Sequence, residues 1–204
     1  MPDNELVKKY LARTVDQRMV DIINEHFSSE EIILDLGCGS GLYGKFLKSK
    51  CKKLIGFDYD PVLCSTAKNS GFYDEVVCDD VAHLDQRISP VTGVFCSELL
   101  EHISNKDFPD VIGKIERLTT GKICITVPNP LSPHFKHDAS HILKYSVYSL
   151  LSEFNKSAAF AYQLHAIGFS ESNLGKWYFS MINWLSSAIP ILSPTVLYVG
   201  VPKT

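Results

Sequence analysis

The feature that most constrains this chain is a strand, a glycine-rich turn and a helix in immediate succession, IILDLGCGSGLYGKFL from Ile32 to Leu47. The apolar run at its start is typical of a buried strand. Gly37, Gly39 and Gly41 allow a sharp turn and a close approach of a ligand to the backbone. Because the following helix presents its N-terminus to that ligand, the unit predicts a nucleotide-like ligand beside a parallel strand.

Strands and helices alternate along the rest of the chain. Further strands are predicted in KLIGFDYD, DEVVCDD, VTGVFCSE and GKICITVPNP, with helical segments between them. An amphipathic N-terminal helix within residues 1–28 is predicted by apolar residues that recur every four positions: Val7, Leu11, Val15, Met19 and Ile23. This alternation predicts an α/β fold with a parallel sheet and helices on both of its faces.

The composition is that of an ordinary globular domain. The chain has 204 residues, is 45% hydrophobic and carries a net charge of −3, so we expect a single domain over residues 1–204 and no nucleic-acid partner. Six cysteines are scattered singly, without the C-x-x-C spacing of zinc or redox sites. The N-terminus lacks a signal-peptide pattern, and no apolar tract is long enough for a membrane span, so a cytoplasmic location is expected.

The glycine turn suits two nucleotide ligands. Gly39 to Gly44 spell G-x-G-x-x-G, as in dinucleotide-binding proteins, whereas counting from Asp35 gives D-x-G-x-G-x-G. Asp58, near the end of the second predicted strand, suits the hydroxyls of a ribose in either case. A carboxylate at Asp35 repels a pyrophosphate but attracts a sulfonium and an ammonium. S-adenosylmethionine is therefore the expected ligand, and an NAD(P)-dependent oxidoreductase is the alternative.

Five motifs, in this order, resemble those of class I S-adenosylmethionine-dependent methyltransferases. They are LDLGCGSG (34–41), GFDYD (56–60), CDDVAHL (78–84), SELLEHI (97–103) and VPNP (127–130). The resemblance spans roughly residues 30–170 and implies methyl transfer in a Rossmann-like, seven-stranded, mostly parallel sheet with an antiparallel last strand. A catalytically silent S-adenosylmethionine-binding subunit is a further alternative.

The resemblance also implies a set of cofactor-binding residues. Asp58 should hold the ribose hydroxyls, and Asp80 should face the adenine amino group with the Val81 backbone, with Asp79 as an adjacent competitor. The literal G-x-G-x-x-G is then an accident, because Gly44 falls inside the helix. The full set is Asp35, Gly37, Cys38, Gly39, Gly41, Asp58, Tyr59, Asp79, Asp80, Val81 and Ser97.

A second cluster follows the fourth predicted strand. If Glu98 and Glu101 share one turn of helix, they lie on one face, with His102 four residues after Glu98. This E-x-x-E-H motif, with the later His141, is similar to the metal site of ubiquinone-biosynthesis O-methyltransferases and of small-RNA 2'-O-methyltransferases. Glu98, Glu101, His102 and His141 are the candidate catalytic residues and the candidate ligands of Mg²⁺, Mn²⁺ or Zn²⁺.

Two other interpretations of this cluster stay open. His102 or His141 would serve as a metal-free general base. Alternatively, the two glutamates are structural and His102 packs against the PNP loop, with His134, His137 and Asp138 nearby in sequence.

The methyl acceptor is predicted least well. Residues 131–167, expected to form a loop and two helices, and residues 172–193 are candidate substrate-side insertions, and the sixth strand is expected to start at Gly168. The second insertion is expected to be core, a homodimer contact or an apolar lid; its apolar residues are Trp177, Tyr178, Phe179, Met181, Trp184, Leu185 and Ile189. A small-molecule acceptor, methylated on oxygen, is expected, and RNA methylation is a weaker alternative for an acidic chain.

Overall fold

A computed structural model describes residues 8, 11–132, 135, 140–143, 145–168, 185 and 189–204. These residues belong to two compact units, of which one comprises residues 1–96 and 114–122 and the other residues 97–113 and 123–204. Within the described residues, no helix has the length and apolar character needed to cross a bilayer.

In the part of the chain that the structure describes, seven strands form one sheet. They are β1 (Glu30–Leu36), β2 (Cys51–Asp58), β3 (Glu75–Cys78), β4 (Val91–Ser97), β5 (Thr119–Pro128), β6 (Phe160–Ala166) and β7 (Thr195–Pro202). The strand order is β3-β2-β1-β4-β5-β7-β6. β1 pairs in parallel with β2 and β4, and β7 runs antiparallel to both β5 and β6. The predicted α/β fold with an antiparallel last strand is therefore confirmed.

The helices connect the strands. They are α1 (Gln17–His26), α2 (Gly44–Lys48), α3 (Pro61–Asn69), α4 (Leu84–Arg87), α5 (Phe108–Leu118) and α6 (Val147–Phe154), with 3-10 helices at Val81–His83, Leu100–His102 and Pro190–Leu192. Asp60 caps α3 by accepting hydrogen bonds from the backbone N–H groups of Val62 and Leu63. Ser146 caps α6 in the same way, as the sequence predicts.

The core of each unit comes from the strands and the helices that cover them. In the first unit, Ile33, Leu34 and Leu36 of β1 are fully buried, as expected for a central parallel strand. In the second unit, the rings of Phe154 and Tyr198 lie 4.9 Å apart, and the Tyr198 hydroxyl donates to the backbone oxygen of Val147 at 2.8 Å.

The predicted N-terminal helix is interrupted: Lys8 and Leu11 are helical, residues 13–16 are not, and a second helix begins at Gln17. Asp16 accepts a hydrogen bond from Arg18 N–H and caps α1, which begins at Gln17. Leu11 and Val15 precede this cap and are 48% and 43% exposed. The four-residue spacing therefore does not predict the break before Gln17, and Val7 lies outside the described residues.

The prediction for the segment before Gly168 was wrong. A second helix was expected there, but Phe160–Ala166 forms strand β6, antiparallel to β7. Phe160 and Tyr162 are buried whereas Gln163 and His165 are exposed, which is the alternation of a half-buried strand. In the second candidate insertion, Leu185 and Ile189 are described and partly exposed. Trp177, Tyr178, Phe179, Met181 and Trp184 lie outside the described residues.

Candidate functional site

The glycine turn is tied to the end of β2 by hydrogen bonds. The backbone N–H groups of Gly37 and Cys38 both donate to the carbonyl oxygen of Phe57, at 2.8 and 3.1 Å. Gly39 and Gly41 have φ values of +52° and +85°, a backbone conformation that residues with a Cβ rarely adopt. A Cβ on Gly39 would meet no atom within 4 Å, so the turn leaves open space for a ligand close to the backbone there.

Asp58, the predicted ribose-binding acid, is fixed beside this turn. Its Oδ2 accepts from Gly39 N–H at 2.8 Å, and its Oδ1 accepts from Asp60 N–H at 3.0 Å. Burial raises the pKa of the Asp58 carboxyl, and these backbone hydrogen bonds partly oppose the rise. Both oxygens are held rigidly by main-chain donors, which suits recognition of a diol.

Asp35 is more deeply buried, with 3% of its surface exposed. Burial raises the pKa of its carboxyl to about 7; a hydrogen bond from Tyr73 opposes the rise, and the charge of Asp58 adds to it. The Tyr73 hydroxyl donates this bond to Asp35 Oδ2 at 2.6 Å. A cationic ligand group beside Asp35 would favour the ionised carboxylate.

Tyr73 is a residue of this site that sequence reasoning missed. Its ring occupies the space next to three glycines, from the turn, α2 and β2. A Cβ built on Gly41 or Gly44 would lie 3.0 or 2.6 Å from Tyr73 Cε2, and one on Gly56 would lie 2.9 Å from its Cδ1. Gly44 therefore has a packing role, although the literal G-x-G-x-x-G carries no information about the ligand. Nothing local in GFYDE indicates this contact.

Asp79 and Asp80 have different partners. Asp79 accepts from His83 Nδ1 at 2.8 Å and from Arg87 Nε at 2.5 Å. These hydrogen bonds lower the pKa of the Asp79 carboxyl to about 2. Asp80 caps the 3-10 helix that begins at Val81, since its Oδ1 accepts from Ala82 N–H at 2.8 Å. Among the described residues, Asp80 Oδ2 accepts no hydrogen bond, so Asp80 is the better placed of the two for an external donor.

The remaining predicted cofactor residues differ in exposure. Tyr59 is 64% exposed, whereas Cys38 is 7% exposed and its burial raises the thiol pKa, so the thiol stays protonated. Ser97 ends β4 in the second unit, where its hydroxyl accepts from Thr126 Oγ1 at 2.9 Å.

The glutamates after β4 do not share a helical face. Glu98 has a φ of +55°, in the left-handed region, and the 3-10 helix starts only at Leu100. The prediction that Glu98 and Glu101 lie on one turn of helix was therefore wrong, because Glu98 has a left-handed backbone conformation and lies outside the helix that contains Glu101. Glu98 N–H instead donates to the Thr126 carbonyl at 3.1 Å, which fixes this turn beside β5.

Glu101, His102 and His141 converge in the second unit. Glu101 is fully buried, and its Oε1 lies 3.9 Å from His102 Nε2 and 4.0 Å from His141 Nε2. The backbone oxygen of Glu101 accepts from Ile142 and Leu143 N–H at 2.8 and 3.1 Å, which brings His141 to the cluster. One donor atom from each of the three residues lies within 4.8 Å of the others.

Hydrogen bonds assign the tautomer of both imidazoles. His102 Nδ1 lies 3.2 Å from the Ser140 carbonyl, and His141 Nδ1 lies 3.2 Å from the Phe135 carbonyl. Since a carbonyl oxygen only accepts, each Nδ1 carries a proton, and the neutral ring has its lone pair on Nε2. This arrangement is typical of histidines that bind a metal through Nε2.

Other predicted neighbours of the cluster have structural roles or lie outside the described residues. Asn129 of the VPNP motif is 2% exposed, and its Nδ2 donates to the carbonyls of Ile191 and Ser193, both at 2.8 Å. His134, His137 and Asp138 lie outside the described residues.

The comparisons with known proteins agree with this architecture. Residues 33–121 match a family model described as a methyltransferase domain. Over 58 residues the chain is 34% identical to an uncharacterized methyltransferase of Schizosaccharomyces pombe. That alignment covers 28% of this chain, and the chain spans 22% of the length of this curated relative.

Solved structures share the fold along nearly the whole chain. A SAM-dependent methyltransferase from Archaeoglobus fulgidus superposes with a TM-score of 0.72 at 17% identity, over 98% of this chain and 100% of that one. The plantazolicin methyltransferase BamL, in complex with a triazolic desmethylPZN analog and SAH, gives a TM-score of 0.68 at 16% identity, over 99% and 91% of the two chains. The small RNA methyltransferase HEN1 also gives 0.68 at 16% identity, over 92% and 25%.

The sheet order and the glycine turn with its two acids define a nucleotide-binding α/β fold of the methyltransferase type. Residues 33–121 match a methyltransferase domain, and the fold is the one that these S-adenosylmethionine-dependent methyltransferases share. Of the two predicted ligands of the glycine turn, this match favours S-adenosylmethionine over NAD(P).

Proposed function

We propose that the chain transfers the methyl group of S-adenosylmethionine to an oxygen of a small-molecule acceptor, with a divalent cation held by Glu101, His102 and His141. The observation that carries the proposal is the convergence of two Nε2 atoms on Glu101 Oε1, at 3.9 and 4.0 Å. A buried carboxylate and two neutral imidazoles are a ligand set that suits Mn²⁺ or Zn²⁺ and, with further oxygen ligands, Mg²⁺.

The cofactor-binding roles belong to the first unit. Asp58 binds the ribose hydroxyls, Asp80 and the Val81 backbone N–H bind the adenine, and the Gly37–Gly41 turn surrounds the methionine portion. Asp35 supplies negative charge for the cationic groups of the cofactor. S-adenosylmethionine, when bound, supplies an intrinsically activated methyl group, so the chain contributes mainly orientation and proximity.

The cluster in the second unit supplies acceptor activation. A divalent cation there lowers the pKa of an acceptor hydroxyl and orients it. The chain's own part is to direct each Nδ1 proton to a backbone carbonyl, of Ser140 or Phe135, so that Nε2 carries the lone pair, and to keep Glu101 out of water. Glu98, predicted as a fourth ligand, lies outside the group of three whose donor atoms converge.

The same geometry supports a metal-free alternative, in which His102 or His141 accepts the acceptor's proton and Glu101 stabilises the imidazolium. A calorimetric titration of Mn²⁺ into protein saturated with S-adenosylhomocysteine separates the two. We expect one site, lost in His141→Ala and in Glu101→Gln, and retained in His165→Ala. His165 is the matched control because it is an exposed histidine on β6. Absence of Mn²⁺ binding to the wild-type protein overturns the metal-assisted proposal and leaves the general base.

The acceptor class has its own test. Transfer of a labelled methyl group is measured with catechols and with short RNA oligonucleotides, each with and without Mn²⁺. The proposal predicts Mn²⁺-dependent labelling of catechol oxygen. Labelling of RNA alone would overturn the small-molecule acceptor while leaving the metal-binding result as it stands.

A further inference from the structure

We infer that Tyr73 is a positioning residue for the cofactor: its hydroxyl holds the Asp35 carboxylate in place, and its ring fixes the glycine turn against β2. This inference rests on the proposed binding of S-adenosylmethionine at Asp35. It assigns a role to a residue that belongs to none of the five motifs.

The hydroxyl bond orients Asp35. Tyr73 donates to Asp35 Oδ2 at 2.6 Å, and among the described residues no hydrogen bond reaches Oδ1. One carboxylate oxygen is therefore held by a donor from the segment before β3, and the other is left for a ligand. A charged hydrogen-bond acceptor makes such a bond stronger than one between neutral groups.

The hydrogen-bond donor to Asp35, the Tyr73 hydroxyl, carries no charge, so it does not compete with a cationic ligand for the carboxylate. In the described part of the chain, the titratable groups facing Asp35 are Tyr73, Asp58 and Cys38, and none of them is a cation. A lysine or arginine donor would cancel the charge of the carboxylate. A tyrosine hydroxyl favours the ionised form and leaves its charge for an ammonium and a sulfonium.

The ring links three elements of the site. Gly41 ends the positive-φ turn, Gly44 begins α2, and Gly56 lies in β2, and a Cβ on any of them would lie 3.0 Å or less from a Tyr73 ring carbon. The absence of a Cβ at each of these glycines leaves room for the aromatic ring. Displacement of the ring would therefore move the turn and Asp35 together.

The test is the pH dependence of cofactor binding. S-adenosylmethionine and S-adenosylhomocysteine are titrated calorimetrically from about pH 6 to about pH 8.5 into the wild type, Tyr73→Phe and Asp35→Asn. We expect wild-type affinity to rise with pH as Asp35 ionises. Tyr73→Phe removes the hydrogen bond that favours ionisation of Asp35. The pH midpoint of the change in affinity should therefore move to higher pH, and the affinity near pH 6.5 should fall roughly tenfold. Asp35→Asn should remove this pH dependence.

Tyr198→Phe is the matched control. It also deletes a buried tyrosine hydroxyl that donates at 2.8 Å, but to the Val147 backbone in the second unit. It should lower the melting temperature without moving the midpoint of cofactor binding. A loss of affinity caused only by lower stability would affect both variants alike.

Each outcome decides a different claim. A wild-type protein that binds neither ligand overturns the proposed function itself. Wild-type binding with an unchanged affinity and midpoint in Tyr73→Phe overturns the role of Tyr73 alone. If Tyr73→Phe does not fold, Gly44→Ala replaces it, because its Cβ would displace the ring from 2.6 Å; an unchanged midpoint there overturns the inference.

Discussion

The first residue of α2, Gly44, lies directly against the ring of Tyr73: a Cβ on Gly44 would lie 2.6 Å from Tyr73 Cε2 and 2.9 Å from Cζ. This contact explains a glycine at the start of a helix, where alanine is intrinsically preferred. The glycines of the site therefore serve two purposes, since those with positive φ shape the turn and Gly44 admits a side chain.

Gly44→Ala should lower the free energy of unfolding by about 1–3 kcal/mol, the usual cost of overpacking a filled site. In a Tyr73→Ala background, Gly44→Ala should instead raise the free energy of unfolding. The ring is then absent, and alanine favours the helix over glycine by up to about 1 kcal/mol. A double-mutant cycle from urea unfolding measures the difference. Equal destabilisation in both backgrounds would show that the ring is not the cause.

Asp35 should make the ligand-free protein less stable as the pH rises. Its folded-state pKa of about 7 lies above the ordinary value of 3.8, so the folded protein keeps a proton that the unfolded chain loses in this window. The stability that this group contributes is complete below about pH 4 and is lost as the pH rises through about 7. The free energy of unfolding of Asp35→Asn should therefore rise relative to that of the wild type as the pH increases over this range, by up to a few kcal/mol at pH 8. Melting curves against pH measure the gain, and parallel curves would contradict it.

Much of this architecture follows from local sequence. β1, β2 and the glycine turn are predicted well because a buried parallel strand is a continuous apolar run and the turn requires glycine. Ser146 is confirmed as a cap for the same reason, since its hydroxyl bonds three residues away. Short-range rules suffice wherever the partner of a residue is close in sequence.

The features that sequence missed depend on distant partners. Tyr73 meets Asp35 across 38 positions, and β6 is a strand because it pairs with β7. The helical face expected for Glu98 and Glu101 fails at a single residue, since Glu98 adopts φ +55° and its N–H pairs with Thr126. His141 was predicted as a member of the cluster, but only by the resemblance, because the backbone hydrogen bonds that bring it to Glu101 follow from no spacing rule.

Substitution of Asp79 and of Asp80 should affect the affinity for S-adenosylhomocysteine to different extents. Asp80→Ala removes the carboxylate that we propose accepts a hydrogen bond from the adenine amino group, so we expect about tenfold weaker binding of S-adenosylhomocysteine. Asp79→Ala removes the partner of His83 and Arg87 and should change the affinity much less. Calorimetry at one pH measures both, and the reverse order of effects would assign adenine recognition to Asp79.

Asn129 should behave as a structural residue of the VPNP motif. Its Nδ2 donates to the Ile191 and Ser193 carbonyls, and its Oδ1 accepts from Leu131 N–H at 3.0 Å, with 2% of the residue exposed. Asn129→Ala removes the donor to the buried Ser193 carbonyl and to the part-buried Ile191 carbonyl, and should cost about 1–3 kcal/mol of unfolding free energy. Asn129→Asp should cost at least as much, because a carboxylate cannot donate and repels both carbonyls. Since these bonds lie within the second unit, neither variant should weaken the binding of S-adenosylhomocysteine while the protein stays folded. Urea unfolding and calorimetry on the same samples test both statements, and weakened binding at full folding would give Asn129 a direct role in the site.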